Sequence, residues 1–219
     1  MGEGPAKAPV IAIDGPAAAG KGTLARRLAA HLGYAYLDTG ALYRAVAWRL
    51  LEQGADIDDQ AAAAAVARNL KVEDTGQAAI RSDSIGKAAS KVAAMPAVRA
   101  ALLDFQRAFA AGPPDGAAGA VIDGRDIGTV VCPAADCKLF VTASDEERAR
   151  RRHAELAGRG IDESFATVLA DLRSRDARDR ERSTSPLRQA QDAHLLDTTN
   201  LDIDSAFQAA LVLIAKCRQ

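Results

Sequence analysis

The chain has 219 residues, of which 48% are apolar and 26% charged, with a formal net charge of −1. That size suits one domain carrying an insertion, and the composition is that of an ordinary globular protein. Near-neutrality argues against a bulk polyanion binder, and no apolar run reaches the roughly 18–20 residues that span a bilayer. Three irregularly spaced cysteines, Cys132, Cys137 and Cys217, argue against a disulfide framework and a four-ligand zinc site, and predict reduced, partly buried thiols. The basic residues are skewed: 21 of the 28 are Arg, and ten of these lie between Arg148 and Arg182.

Residues 1–9 read as a short flexible Gly/Pro/Ala lead-in without the apolar core of a signal peptide, which with the lack of a bilayer-spanning run points to the cytoplasm. Residues 10–13 (V-I-A-I) read as a buried strand ending in the turn signal Asp14-Gly15-Pro16. Residues 21–32 read as a helix, with Leu24, Leu28 and Leu32 spaced by four and Gly33 past its end. A second strand over 34–37 precedes a helix over 41–53. An Ala-rich helix is expected over 58–70, then a loop or short strands over 71–81. Pro96 opens a helix with Val98, Leu102, Phe105 and Phe109 on one face. Strands follow over 120–122 and 138–141. Ser144 and Glu147 have the spacing of a capping box for the helix that carries Arg148. A further helix over 165–182, a strand over 194–196 and a last helix over 205–217 complete the chain. Strands alternating with helices predict an α/β fold around a parallel sheet.

The sharpest motif is Gly15-Pro16-Ala17-Ala18-Ala19-Gly20-Lys21-Gly22-Thr23, which matches the phosphate loop G-x4-G-K between a strand and a helix. Glycines and small alanines let the backbone N–H groups approach phosphate, and the following helix offers its positive end. Lys21 adds a full charge at the terminal phosphates, and the Thr23 hydroxyl suits a magnesium shell. These features predict a three-layer P-loop NTPase fold that binds a nucleoside triphosphate with Mg2+.

Other segments point to a second phosphate-bearing substrate. Asp38 and Thr39 follow the second strand, and Arg44 sits one turn into the next helix; ligands of such folds bind beyond the carboxyl ends of strands. Asp123-Gly124-Arg125-Asp126 ends the strand over 120–122. Its first Asp is placed to orient magnesium indirectly, and its Arg can grip a phosphate bidentately. Arg148, Arg151 and Arg152 share one helix face with Glu155, and Arg175, Arg178, Asp179 and Arg182 repeat that spacing on the next helix. Like charges this dense call for bridging anions, and guanidinium suits phosphate. Gly158 and Gly160 between the two helices suit the hinge of a lid.

The ordered set I-D-G-P-x-x-x-G-K-G-T, L-D-T-G-A-L-Y-R, A-A-S-K-V-A-A-M-P-A-V-R, D-G-R-D-I-G-T-V-V-C-P, E-E-R-A-R-R-R and R-D-A-R-D-R-E-R resembles bacterial-type cytidylate kinase from residue 10 to the C-terminus. The resemblance implies transfer of phosphate from ATP to CMP or dCMP by a monomer that binds neither nucleic acid nor membrane. It also implies one kinase domain over 10–219, with a monophosphate-binding insert at about 39–112 and a lid at about 148–182. Carried over by motif, Lys21, Arg125, Arg148, Arg151 and Arg152 are catalytic, and Thr23 and Asp123 serve the metal. Arg44, Arg125 and Arg182 hold the CMP phosphate; Ser90, Arg99 and Asp126 read the cytosine with Thr39 nearby, and Arg175 and Asp179 face the ribose. Residue 39 is Thr where the family often has Ser, and the segment over 71–81 is shorter than the family's β-rich one. The alternatives are a monophosphate kinase of other base specificity and a nucleic-acid-stimulated P-loop ATPase; the latter lacks aromatics among the arginines.

Overall fold

The computed structural model describes residues 8–217. Two compact units divide the chain, one of residues 1–37 and 110–219, the other Asp38–Phe109. The first is built on a five-stranded sheet of order β2-β3-β1-β4-β5, from β1 (Val10–Asp14), β2 (Ala35–Asp38), β3 (Ala120–Asp123), β4 (Cys137–Thr142) and β5 (His194–Asp197). β1 runs parallel to β3 and to β4, and β4 parallel to β5. Helices cover both sides, which gives the three-layer α/β P-loop fold.

Every residue of β1 and of β3 is buried, as a parallel sheet with both faces covered requires. On one face, Ile11, Ile13, Leu139 and Val141 pack against Leu24, Leu28 and Ala29 of α1 (Lys21–Leu32) and against Phe207, Ala210 and Ile214 of α8 (Ile203–Cys217). α1 ends where Gly33 takes φ +67°, a conformation open to glycine at little cost. The order of the strands reverses at β1, between β3 and β4. Ligands of such sheets bind outside the carboxyl ends at the reversal, and the segments after β1, β3 and β4 lead there.

α6 (Asp145–Gly158) and α7 (Phe165–Glu181) belong to the same unit and pack on each other through Leu156, Val168 and Leu172. Ser144 caps α6 by accepting from the Glu147 N–H at 3.2 Å, but the expected reciprocal half of a capping box is replaced. Thr199 Oγ1 accepts from the Ser144 N–H, and the Glu147 carboxylate is taken by Arg150 and Arg151.

The second unit is helical: α2 (Thr39–Glu52), α3 (Gln60–Arg68), α4 (Asp83–Val92) and most of α5 (Pro96–Ala111). Leu42, Val46, Leu50, Ile85, Val92, Val98 and Leu102 form its core. Residues 71–81 hold no strand; they fold as two 3-10 turns, Val72–Gly76 and Ala78–Arg81. Ile80 anchors them in the core, and Arg49 pairs with the buried Asp74 at 2.6 Å. Helix α4 was not marked by the sequence pattern, because its buried face includes the small residues Gly86, Ala89 and Ser90 beside Ile85 and Val92.

The expectation of three reduced thiols is corrected. Cys137 of β4 and Cys217 at the end of α8 are joined in a disulfide across 80 residues of sequence, and Cys132 takes no part in it. Spacing along the chain could not reveal the pair, because α8 returns to the sheet and brings the two together. Among the described residues no helix is long and apolar enough to cross a membrane.

Leu139 of β4 lies between Ile13 of β1 and His194 of β5 and is 1% exposed. Leu139→Ala is expected to lower the unfolding free energy by about 2–5 kcal/mol, from lost transfer energy plus the cavity left behind. Denaturant titration of both proteins measures it.

Candidate active site

The phosphate loop leaves β1 by a turn that only glycine can make. Gly15 has φ +145°, and a Cβ there would lie 1.9 Å from the Val141 carbonyl oxygen. Gly20 has φ +83° and caps α1. Between them Ala18 takes φ +57°, a left-handed conformation that a side chain disfavours. Lys21 opens α1 with a side chain folded back so that Nζ donates to the Pro16 carbonyl at 2.7 Å. Burial, reinforced by the nearby Arg125 charge, pulls Lys21 down to about 7, against the opposing carboxylates of Asp123 and Asp14. A phosphate beside Lys21 would stabilise its charge. Thr23 is exposed in the first turn of α1.

At the end of β3, Asp123 is buried and accepts from the Tyr36 hydroxyl at 3.0 Å. Its Oδ2 would lie 3.3 Å from a Cβ on Gly22, so a glycine there lets carboxylate and phosphate loop approach. Arg125 donates through Nε to Asp179 Oδ2 at 3.0 Å and through Nη1 to the Gly124 carbonyl. Although burial opposes its charge, Asp179 and Asp123 hold Arg125 above the ordinary arginine value. Burial likewise pushes Asp179 up, but Arg125, Arg175 and Arg182 outweigh it and hold that carboxyl below the usual range. Arg182 lies 3.8 Å from both Asp126 and Asp179, and its Nε donates to the Ser185 carbonyl. The structure thus brings Lys21, Asp123, Arg125, Asp126, Arg175, Asp179 and Arg182 together in one unit.

The remaining arginines of α6 are used differently. Arg151 binds Glu147 through Nε and clasps both the hydroxyl and the carbonyl of Thr198. Arg152 pairs with Glu155 at 2.6 Å. Arg151 and Arg152 are half-buried, whereas Arg148 is only 1% exposed.

In the second unit, Asp38 caps α2 by accepting from the Ala41 N–H at 3.1 Å, and Thr39 is buried. Arg44 donates to the Ile80 carbonyl at 3.0 Å and lies over Gly86, where a Cβ would come within 3.1 Å of it. Arg99 donates to the Ala93 carbonyl and lies 5.4 Å from the Tyr43 ring centroid. Ser90 is buried with its hydroxyl unbonded, a polar group suited to an incoming ligand. The 3-10 turns over 71–81 therefore matter to this group through the Ile80 carbonyl that holds Arg44.

Three contributors escaped sequence reasoning. A cavity of about 430 Å3 beside Gly20 and Thr23 is lined also by Glu147, Arg151, Thr198 and Asp202; nothing in the T-T-N-L sequence marks Thr198. Asp176 is buried on α7 within a run of charges that reads as uniformly solvated. Asp14 ends β1 as Asp123 ends β3, so the same signal could have found it. Its two oxygens accept the N–H groups of Ile127 and Gly128 at 2.8 and 2.7 Å. It thereby anchors a π turn, Ile127–Val131, and the strand end bearing Arg125 and Asp126.

Burial pushes Asp14 up from 3.8 to about 6, against the two N–H bonds. Between those values the native chain holds a proton that the unfolded chain has released. The stabilising contribution is complete below about pH 4 and is lost as pH rises through about 6. The stability of the wild type relative to Asp14→Asn is therefore expected to fall over that window in a series of denaturant titrations. A difference constant with pH would contradict it.

Comparison with known proteins identifies the family. The family model described as cytidylate kinase matches residues 11–216. The cytidylate kinase of Methylobacterium sp. (strain 4-46) is 62% identical over 205 residues, covering 94% of this chain and 96% of its own. That of Paramagnetospirillum magneticum is 60% identical over 209 residues, covering 95% and 99%. Among solved structures, a gluconokinase from Sinorhizobium meliloti superposes with a TM-score of 0.52 at 14% identity, covering 95% of this chain and 93% of its own, a likeness of fold. Matched over nearly its whole length by both the family model and close relatives, the chain belongs to the cytidylate kinase family.

Proposed function

We propose that the chain transfers the γ-phosphoryl group of ATP to CMP and dCMP, giving ADP and CDP or dCDP, as a monomer in the cytoplasm. The observation that carries this reading is the concentration of Lys21, Arg125 and Arg175, close enough together that the two arginines lower the lysine's proton affinity. Cations desolvated side by side repel unless anions sit among them. Two nucleotides meeting at their phosphates supply those anions.

The donor phosphates lie on the loop Gly15–Thr23 with Lys21 at their outer end. The cavity beside Gly20 and Thr23, with Arg151 and Thr198 in its wall, takes the donor's base. The acceptor residues of the first unit are Arg125 and Arg182 for the phosphate, Arg175 and Asp179 for the ribose and Asp126 for cytosine; those of the second unit are Arg44 for a phosphate and Thr39, Ser90 and Arg99 for cytosine, with Asp38 fixing the start of α2. Arg151 and Arg152 lie on the lid side, and the second unit acts as the monophosphate-binding insert.

The acceptor phosphate is itself the nucleophile and is already ionised, so no general base is required. Phosphoryl transfer has a loose transition state, which leaves positioning and charge stabilisation as the protein's main work. Arg125 and Arg182 draw the acceptor phosphate in line, and Lys21 offsets charge on the donor. Closing of the α6–α7 segment over the nucleotides would exclude water that otherwise hydrolyses ATP. The exposed hydroxyl of Thr23 and the carboxylate of Asp123 are hard oxygen donors that fit Mg2+. Among the described residues no group of three or more His, Cys, Asp or Glu forms a metal cage, which suits an ion held mainly by phosphates and water. Bound there, Mg2+ would offset charge on the transferring group.

A coupled ADP-release assay over CMP, dCMP, UMP, AMP and GMP tests the reading; CMP and dCMP are expected to be the preferred acceptors, and a preference for another base would overturn it. Arg182→Ala is expected to raise the KM for CMP about tenfold or more while the KM for ATP stays within about twofold, the pattern of lost acceptor binding.

A further inference from the structure

Arg148 is the largest fully buried side chain among the described residues, and its guanidinium is spent on the protein. Nε donates to the Ala143 carbonyl at 3.1 Å, Nη2 to Asp145, and Nη1 to the Ala17 carbonyl at 2.9 Å. Asp176 faces it from α7, 2% exposed. Its Oδ2 lies 2.6 Å from Arg148 Nη1, close as a charge pair though not aligned as a hydrogen bond. Its Oδ1 accepts the Ala17 N–H at 3.3 Å. One buried ion pair therefore holds both the N–H and the C=O of a single residue, and that residue is third in the phosphate loop.

The next residue is Ala18, whose left-handed φ of +57° is unfavourable for any residue bearing a Cβ. Such a conformation persists only where the surroundings over-determine it. Ala17 and Ala18 also pack with Ala149, Leu156, Val168 and Leu172 of α6 and α7. The two helices thus grip the loop through apolar contact and through a matched pair of charges.

We infer that Arg148 and Asp176 are positioning residues that hold the phosphate loop in its ATP-binding conformation by clamping Ala17, and that Arg148 is not a ligand of the transferred phosphate. This rests on the reading that the loop binds ATP. A buried ion pair is poor evidence of stability, because apolar residues of similar volume often replace one without loss, whereas removing one partner leaves a lone buried charge. That asymmetry separates positioning from mere stabilisation.

The test compares wild type, Asp176→Asn, Arg148→Met and the double variant Arg148→Met/Asp176→Leu. The measurements are ATP affinity by calorimetry, the KM for CMP, kcat and Tm. Each single variant is expected to weaken ATP binding about tenfold or more, as loss of loop geometry does, with the KM for CMP little changed and Tm lowered. The double variant recovers most of the Tm but not the ATP affinity, and is no worse in ATP binding than the worse single variant. A double variant that regains ATP affinity along with Tm overturns the proposal in favour of a purely stabilising pair. So does an Asp176→Asn that binds ATP normally while Arg148→Met loses kcat alone, since Arg148 would then act on the phosphate itself. A wild type that binds ATP without phosphorylating CMP overturns the acceptor assignment, and the ATP affinities still decide the clamp. A wild type that binds no ATP overturns both.

Discussion

Positive charge held out of water is the constraint around which this protein is organised. Lys21, Arg125, Arg175 and Arg182 lie close together in one unit, and under the proposed function they must receive phosphates yet be tolerated without them. Carboxylates make this feasible. Asp179 answers Arg125, Arg175 and Arg182, and Asp123 and Asp14 partly answer Lys21. The balance is incomplete at Lys21, where burial, reinforced by Arg125, brings the pKa down to about 7. Incomplete compensation is useful for binding, because an arriving phosphate then relieves repulsion rather than displacing a strong partner.

The same ion pairs contribute unequally. Exposed pairs such as Arg49–Glu52 and Arg173–Glu146 contribute little, since water screens them and their side chains lose freedom. The Arg148–Asp176 and Arg125–Asp179 pairs are buried, where each charge makes the other tolerable and neither can be removed alone without cost. Their value lies in geometry. Arg125 is aimed by Asp179 from α7 and by a strand end that Asp14 ties down through two N–H groups. Ala17 is clamped from α6 and α7. The helices that sequence patterning reads as an arginine-rich lid therefore also brace the glycine-rich loop after β1.

Much of the site was legible because its chemistry is local. A strand, a glycine-rich turn and a helix adjoin in sequence, so spacing alone identifies the phosphate loop from Gly15 to Thr23. Asp123, Arg125 and Asp126 were readable for the same reason, as charges that packing cannot explain at a strand end. Periodicity also placed α1, α5 and α7 to within a residue or two. It failed over 71–92, where Gly86, Ala89 and Ser90 carry the buried face of α4 and short 3-10 turns leave no repeat.

By itself the sequence determined the fold class, the phosphate loop and the set of charged residues from which the site is assembled. Those depend on local propensity and on which residue types a given spacing can place on one face. Which partner each arginine takes depends on the tertiary packing. Arg148, Arg151 and Arg152 share a helix face in any reading of the sequence, yet Arg148 is buried against Asp176, Arg151 clasps Thr198 and Arg152 pairs with Glu155. The disulfide between Cys137 and Cys217 is of the same kind. In each case the partner lies beyond the local pattern or depends on how side chains pack, and neither composition nor periodicity carries that information.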